Sequence, residues 1–287
     1  MFNGEIDIRP SPIAGTWYSD RPVELQQEIT GYLSRANLPA IEGKVIGLVA
    51  PHAGYRYSGP TAAYAYRAVQ GMQFDIVAIF SPFHAYTPEE LLTTRHSAYQ
   101  TPLGIIPVER ELLRDFEQKL AEKELFIAEL SRDGEHSLEI QLPFLQVALD
   151  EKFHLFPVMV RTHDPQKIEM IAQAATAVLK DSNALIIAST DLSHFYEQKT
   201  ANMFDREMLR RIENLAPDQV LEAERKGKGF ACGAGAVATV LRISQLLGAS
   251  KVQVLNYRTS GDETGDFSSV VGYGSAAIEI IGVNHQK

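Results

Sequence analysis

The chain of 287 residues is long enough for one large α/β domain or two small ones, and its 45% hydrophobic, 22% charged composition is that of an ordinary globular protein. A formal net charge of −9 without a Lys/Arg-rich run argues against a nucleic-acid partner, and no apolar run approaches the roughly 20 residues that cross a bilayer. The single cysteine, Cys232, excludes an intrachain disulfide, and the start of the chain lacks the basic and apolar regions of a signal peptide; a cytoplasmic protein is expected.

Residues 9–22 carry Pro10, Pro12 and Pro22 around Ala14-Gly15-Thr16-Trp17-Tyr18, which predicts an extended arm with Trp17 packing it onto the core. Helical spacing of Val23, Leu25, Ile29, Tyr32 and Leu33 predicts a helix over 22–36. The short β-branched run 44–50 reads as a buried strand that delivers His52 to its carboxyl end. A helix over 59–69 then crosses back to a second strand, 75–81, which runs into Pro82-Phe83-His84; this is a βαβ unit with parallel pairing. Shorter strands are expected at 91–96 and 104–108, separated by a turn at Gln100-Thr101-Pro102, before an amphipathic helix at 109–124 and a strand at 126–130. Residues 137–149 have helical period with Pro143 at a kink or an early turn, and 153–160, 165–179 and 184–189 read as strand, helix and strand.

The third strand runs into Thr190-Asp191-Leu192-Ser193-His194. Helices follow at 198–213 and 217–225, then the glycine-rich turn 227–235, a helix at 236–247 and strands at 251–257 and 270–281. No linker or repeat divides the chain. The expected architecture is therefore one α/β domain over 1–287, with a mixed, mainly parallel central sheet flanked by helices.

Three strands thus end in side chains that bind metals or move protons, at the edge where open α/β sheets place their ligands. His52 and His84 can share a metal there, against the plainer reading of two loop histidines with ordinary hydrogen bonds. Asp191 and His194 add a carboxylate and an imidazole for orienting a ligand or for acid–base work, although Ser189, Thr190 and Asp191 would also cap a helix well. Cys232 stands at an expected helix N-terminus, where the dipole favours a thiolate; the competing reading is a buried structural thiol. His136 and Glu139 share a helix face at i,i+3, as an acid–base pair or simply a polar helix start. His96, His154, His163 and His285 have no supporting neighbours and read as surface or packing residues. The turn 227–235 lacks the Gly-Lys-Ser/Thr ending of a phosphate loop, so nucleotide binding is not supported.

Six motifs stand in one order: Ala14-Gly15-Thr16-Trp17-Tyr18, Ala50-Pro51-His52-Ala53-Gly54-Tyr55-Arg56-Tyr57, Ser81-Pro82-Phe83-His84, Glu135-His136-Ser137-Leu138-Glu139, Ser189-Thr190-Asp191-Leu192-Ser193-His194 and Cys232-Gly233. From about residue 9 to 281 the chain resembles the Memo-like family, called AmmeMemoRadiSam system protein B in bacteria and archaea. The resemblance implies a fold like that of class III non-haem iron extradiol dioxygenases, with a pocket at the strand ends. It implies His52, His84 and Cys232 as metal ligands, Asp191 and His194 as catalytic pocket residues, and Trp17 and Tyr57 as aromatic lining. Iron is the implied metal, with copper or zinc as alternatives.

The dioxygenases use two histidines and a glutamate. Cys232 in the third place shifts preference toward softer metals, and Ala85 stands where some members carry a second histidine. The vertebrate member is associated with phosphotyrosine-peptide binding, with copper or iron binding and with redox activity. Three readings follow for this chain. One is metal-dependent redox chemistry on a small molecule, another a peptide- or protein-binding module, and the third an accessory partner of AMMECR-type and radical SAM proteins.

Overall fold

A computed structural model describes residues 7–282; His285 and the first six residues lie outside the described residues. In chain order the elements are β1 (Ile8–Arg9), α1 (Pro22–Arg35), β2 (Lys44–Ala50), α2 (Tyr55–Arg67), β3 (Ile76–Ser81), β4 (Leu91–Thr94), β5 (Ala98–Thr101) and β6 (Gly104–Pro107). Then come α3 (Arg110–Ala121), β7 (Ala128–Leu130), α4 (His136–Glu139), α5 (Leu142–Ala148), β8 (His154–Val160), α6 (Pro165–Leu179), β9 (Ala184–Ser189) and β10 (His194–Tyr196). The last are α7 (Gln198–Glu213), α8 (Pro217–Arg225), α9 (Ala234–Leu246), β11 (Lys251–Thr259), α10 (Gly261–Thr264) and β12 (Val270–Ile280).

A mixed nine-stranded sheet runs in the order β10-β12-β2-β9-β3-β8-β4-β7, with β11 paired to β12, and a three-stranded sheet holds β1, β5 and β6. The central strands β2, β9, β3 and β8 are parallel. Antiparallel pairing enters where β12 meets β2 and where β4 meets β8. The central four are buried along nearly their whole length, as expected when helices cover both faces and each strand reads as a continuous apolar run. The α6 and α9 helices belong to that cover. Asp164 caps α6 by accepting from the N–H groups of Gln166 and Lys167, and Pro165 starts it where a missing N–H costs nothing.

The mixed single-domain α/β architecture is as expected, but the strand order is not the simplest one. β2 and β3 do not pair, because β9 lies between them. Periodicity marks strands and their direction, whereas the insertion of a strand whose residues pair with ones 139 positions earlier is decided by tertiary packing. The register sets Ala50 opposite Ser189 and Phe80 opposite Ala188, so the three carboxyl ends finish level with one another.

Two local readings also change. Gln100 and Thr101 belong to β5, which turns back through Pro102-Leu103 into β6. The expected helix over 137–149 is broken into α4 and α5, with Pro143 in the first turn of α5.

Candidate metal centre

The loops leaving β2 and β3 each present a histidine, His52 and His84, and α4 opens with a third, His136. One ring nitrogen from each of the three lies within 4.8 Å of the others. The His84 and His136 rings stack at 4.5 Å, and His52 meets both edge-on at 5.3 and 5.6 Å. Among the described residues this is the only group of three or more His, Cys, Asp or Glu side chains so arranged.

The hydrogen bonds fix which nitrogens face inward. Ser189 Oγ donates its one proton to the Ser137 carbonyl at 2.6 Å and accepts from Gln141 Nε2 at 2.7 Å. Toward His52 Nδ1, 3.0 Å away, it has only a lone pair left, so His52 carries its proton on Nδ1 and keeps a free lone pair on Nε2. His84 Nδ1–H donates to Glu135 Oε1 at 2.9 Å, and the same oxygen lies 3.3 Å from His136 Nδ1. Glu135 also accepts from the backbone N–H groups of His84 and Ser137. A carboxylate behind a pair of imidazoles is the outer support that orients metal-binding histidines.

Burial and mutual repulsion keep His52 and His136 neutral. His52 is pushed well below the usual histidine range, first by burial and then by the charges His136 and His84 would carry. His136 falls to about 4, again chiefly by burial. Burial works against ionisation of Glu135, but the hydrogen bond and charge of His84 and the two N–H donors outweigh it and hold the carboxyl well below its ordinary range. Neutral rings at His52 and His136 beside the ionised Glu135 suit a metal cation, so the donor set fits a metal ion.

The depressed histidines have a consequence for the metal-free protein. The unfolded chain takes up protons at His136 near pH 6.5 while the folded chain does so only near 4. Stability is therefore full above about pH 6.5 and is lost as pH falls toward 4, by about 3 kcal/mol from this residue. Urea unfolding of chelator-treated protein between pH 7 and 4 should show that slope, and His136→Gln should flatten it.

Cys232 borders the group through His52: its Sγ lies 3.1 Å from His52 Nε2, so the thiol proton points at the lone pair a metal would use. The Asp191 N–H also donates to this sulfur, at 3.2 Å. The helix N-terminus was expected to favour the thiolate, yet burial pushes the thiol pKa up and Asp191 adds to it. A thiolate there requires a cation to replace the proton. The thiol is held close by Gly233, where a Cβ would come within 2.4 Å of the Ser189 carbonyl. Gly233→Ala should therefore force the Cys232 loop off β9, with a stability loss of roughly 1–3 kcal/mol by urea unfolding.

Asp191 is buried, and its Oδ1 accepts from the His52 N–H at 2.7 Å, which ties the loop after β9 to the loop after β2. Burial raises its pKa to about 7 despite the N–H groups of His52 and Ala53. His194 stands on β10, outside the three-histidine group. Its Nδ1–H donates to the Leu192 carbonyl at 2.8 Å, and burial lowers its pKa, with the charge of His84 lowering it further. Trp17 reaches in from the arm and lays its ring 4.3 Å from that of His136. Tyr57, 38% exposed, lines a surface depression with Phe195 and Tyr273.

Two features escaped sequence reasoning. Glu139 is fully buried and takes no part in acid–base pairing with His136. It is the anchor of the arm, accepting from Tyr18 OH at 2.6 Å, from Ser11 Oγ and from the Arg9 guanidinium. Arg9, equally buried, also pairs with Asp133 at 2.9 Å and donates to the Glu135 carbonyl at 2.7 Å. The arm therefore holds the segment that carries Glu135 and His136. The i,i+3 spacing of His136 and Glu139 signalled a shared face but not that only one of them looks into the site.

Fold and donor set together define an α/β protein with an imidazole cluster, fit for a metal, at the carboxyl ends of its parallel strands. Sequence comparison makes the class specific. A profile of Memo-like proteins matches residues 9–277. A MEMO1 family protein of Thermotoga neapolitana is 36% identical over 284 residues, covering 94% of this chain and 99% of the relative. MEMO1 family proteins of Nitrosopumilus maritimus (93% and 98% covered) and Methanosarcina barkeri (95% and 100%) are each 33% identical. The chain belongs to the Memo-like family. In fold alone it is also similar to the crystal structure of an uncharacterized Escherichia coli K12 protein, JW3007, at 13% identity and a TM-score of 0.53, over 82% of this chain and 100% of that one.

Proposed function

We propose that the protein holds a metal, iron with copper or zinc as alternatives, and that with iron or copper it carries out redox chemistry on a small molecule. The observation that carries this is the convergence of three imidazole nitrogens within 4.8 Å, backed by Ser189 and Glu135. His52, His84 and His136 would hold the ion, with Cys232 joining through the sulfur that already lies against His52. When bound, iron or copper would supply a Lewis-acidic, redox-active centre.

The chain's own groups then have distinct tasks. His194 has its Nδ1–H occupied by Leu192, so its Nε2 is free to take or give a proton beside the centre. Asp191 fixes the loop that carries His52. Trp17 walls the site at His136, and Tyr57 lies on the outer surface. No helix among the described residues is long and apolar enough to cross a membrane, and a reducing cytoplasm would suit the free thiol of Cys232.

The half-buried ring of Trp17 beside His136 supports a second reading, in which the same pocket holds a peptide or partner protein. A role beside AMMECR-type and radical SAM proteins in a modification pathway belongs to that reading. Elemental analysis of anaerobically prepared protein, loaded with Fe(II), Cu or Zn, tests the metal. One equivalent is expected, with chelator-dependent alkylation of Cys232 by iodoacetamide. Sub-stoichiometric metal under every loading condition overturns the proposal. Metal binding without turnover of catechol-like or other small substrates favours the second reading.

A further inference from the structure

The sequence holds two groups of basic residues, Arg206/Arg210/Arg211 and Arg225/Lys226/Lys228, set among acidic ones. The structure separates the neutralised from the free. Arg210 and Arg211 both pair with Glu207, and Lys226 pairs with Glu222. Lys199, Arg206 and Lys228 have no carboxylate partner among the described residues, and all three are exposed along one open groove beside α7. Two large apolar side chains stand exposed in the same groove, Met203 at 60% and Phe267 at 49%. Glu197 is its one acidic side chain outside an ion pair. None of the three clustered histidines lines the groove.

Its floor is firm. Phe204 packs edge-on against Phe230 at 5.0 Å and against Tyr196 at 5.1 Å. Three free cations around exposed apolar side chains, on a chain whose net charge is −9, form a local inversion of the surface.

We infer that this groove is a docking surface for an acidic, amphipathic segment of a partner protein. Carboxylates of the segment meet Lys199, Arg206 and Lys228, and its apolar side chains cover Met203 and Phe267. A nucleic acid is disfavoured because three cations neutralise little of a phosphate backbone and the apolar pair gives it nothing. A second copy of this chain is repelled by the same net negative charge. The inference is independent of the metal site.

The test uses the full chain and a fluorescein-labelled helical peptide of about 15 residues, with Leu at i, i+3, i+4 and i+7 and Glu elsewhere. Its counterpart with Lys for Glu is the control, and fluorescence anisotropy is the readout. The acidic peptide is expected to bind at least about tenfold tighter than the basic one, and more weakly as salt screens the contact. Lys199→Glu/Arg206→Glu should lower its affinity at least about tenfold, and Lys180→Glu, just past the end of α6 and outside the groove, should not. Circular dichroism establishes that each variant is folded.

Four results would each overturn the inference. They are equal binding of the two peptides, affinity indifferent to the double reversal, tighter binding of a single-stranded oligonucleotide, and self-association that the double reversal abolishes.

Discussion

Replacing His136 by alanine is expected to lower metal affinity by at least about 100-fold, more than the loss of an outer supporting partner costs. The ring is one of three whose nitrogens converge within 4.8 Å, and its neutrality at pH 7 means no proton has to leave before it binds. Competition titration of Fe(II) against a chelator reads the effect, with His52→Ala and His84→Ala as companions of similar size. Glu135→Gln keeps all three rings and should cost about tenfold, because it weakens the support behind His84 and His136 without removing a donor. Unchanged affinity in His136→Ala would reassign that ring to packing between Trp17 and His84. The donors would then be His52, His84 and Cys232.

Arg9→Met should be the most destabilising single change in the arm, at about 3–5 kcal/mol, because it strands buried carboxylates without their cation. Asp133 and Glu139 are both buried against Arg9; Glu139 also accepts from the Tyr18 and Ser11 hydroxyls, and Asp133 from the Tyr99 hydroxyl and the Glu135 N–H. The expected fall in melting temperature is roughly 5–15 °C. Adding Glu139→Gln to Arg9→Met should recover part of it, since a neutral amide is easier to bury than an unpaired carboxylate. A loss below about 1 kcal/mol for Arg9→Met would mean that the arm is dispensable to the fold.

Much of this was readable beforehand because it depends on short stretches. Apolar runs ending in His52, His84 and Asp191 announce strand ends, and strand ends in an open α/β sheet are where ligands gather. What could not be read depends on distant partners. Nothing near His52 or His84 says that β9 comes between their strands. Nothing near His136 says that the first residue of a four-residue helix is aimed at two strand-end loops. Arg9 drew no attention because a lone arginine among prolines usually faces water, and its burial follows only from the two acids it meets more than 120 residues later. Cys232 was placed correctly at a helix start, but the sign of its titration depends on burial, which no local pattern reveals.

The donors around the candidate centre come from positions 52, 84, 136 and 232, carried by separate crossovers of the chain. A nascent polypeptide leaving the ribosome holds no two of them together, so it cannot capture an ion before the crossovers close. Whatever ion binds will bind the finished fold and shift the balance toward it, by about 2.7 kcal/mol at a hundredfold excess over the dissociation constant. A metal held there would thereby mark the finished fold, since a misassembled or truncated chain would stay empty and lack that stabilisation.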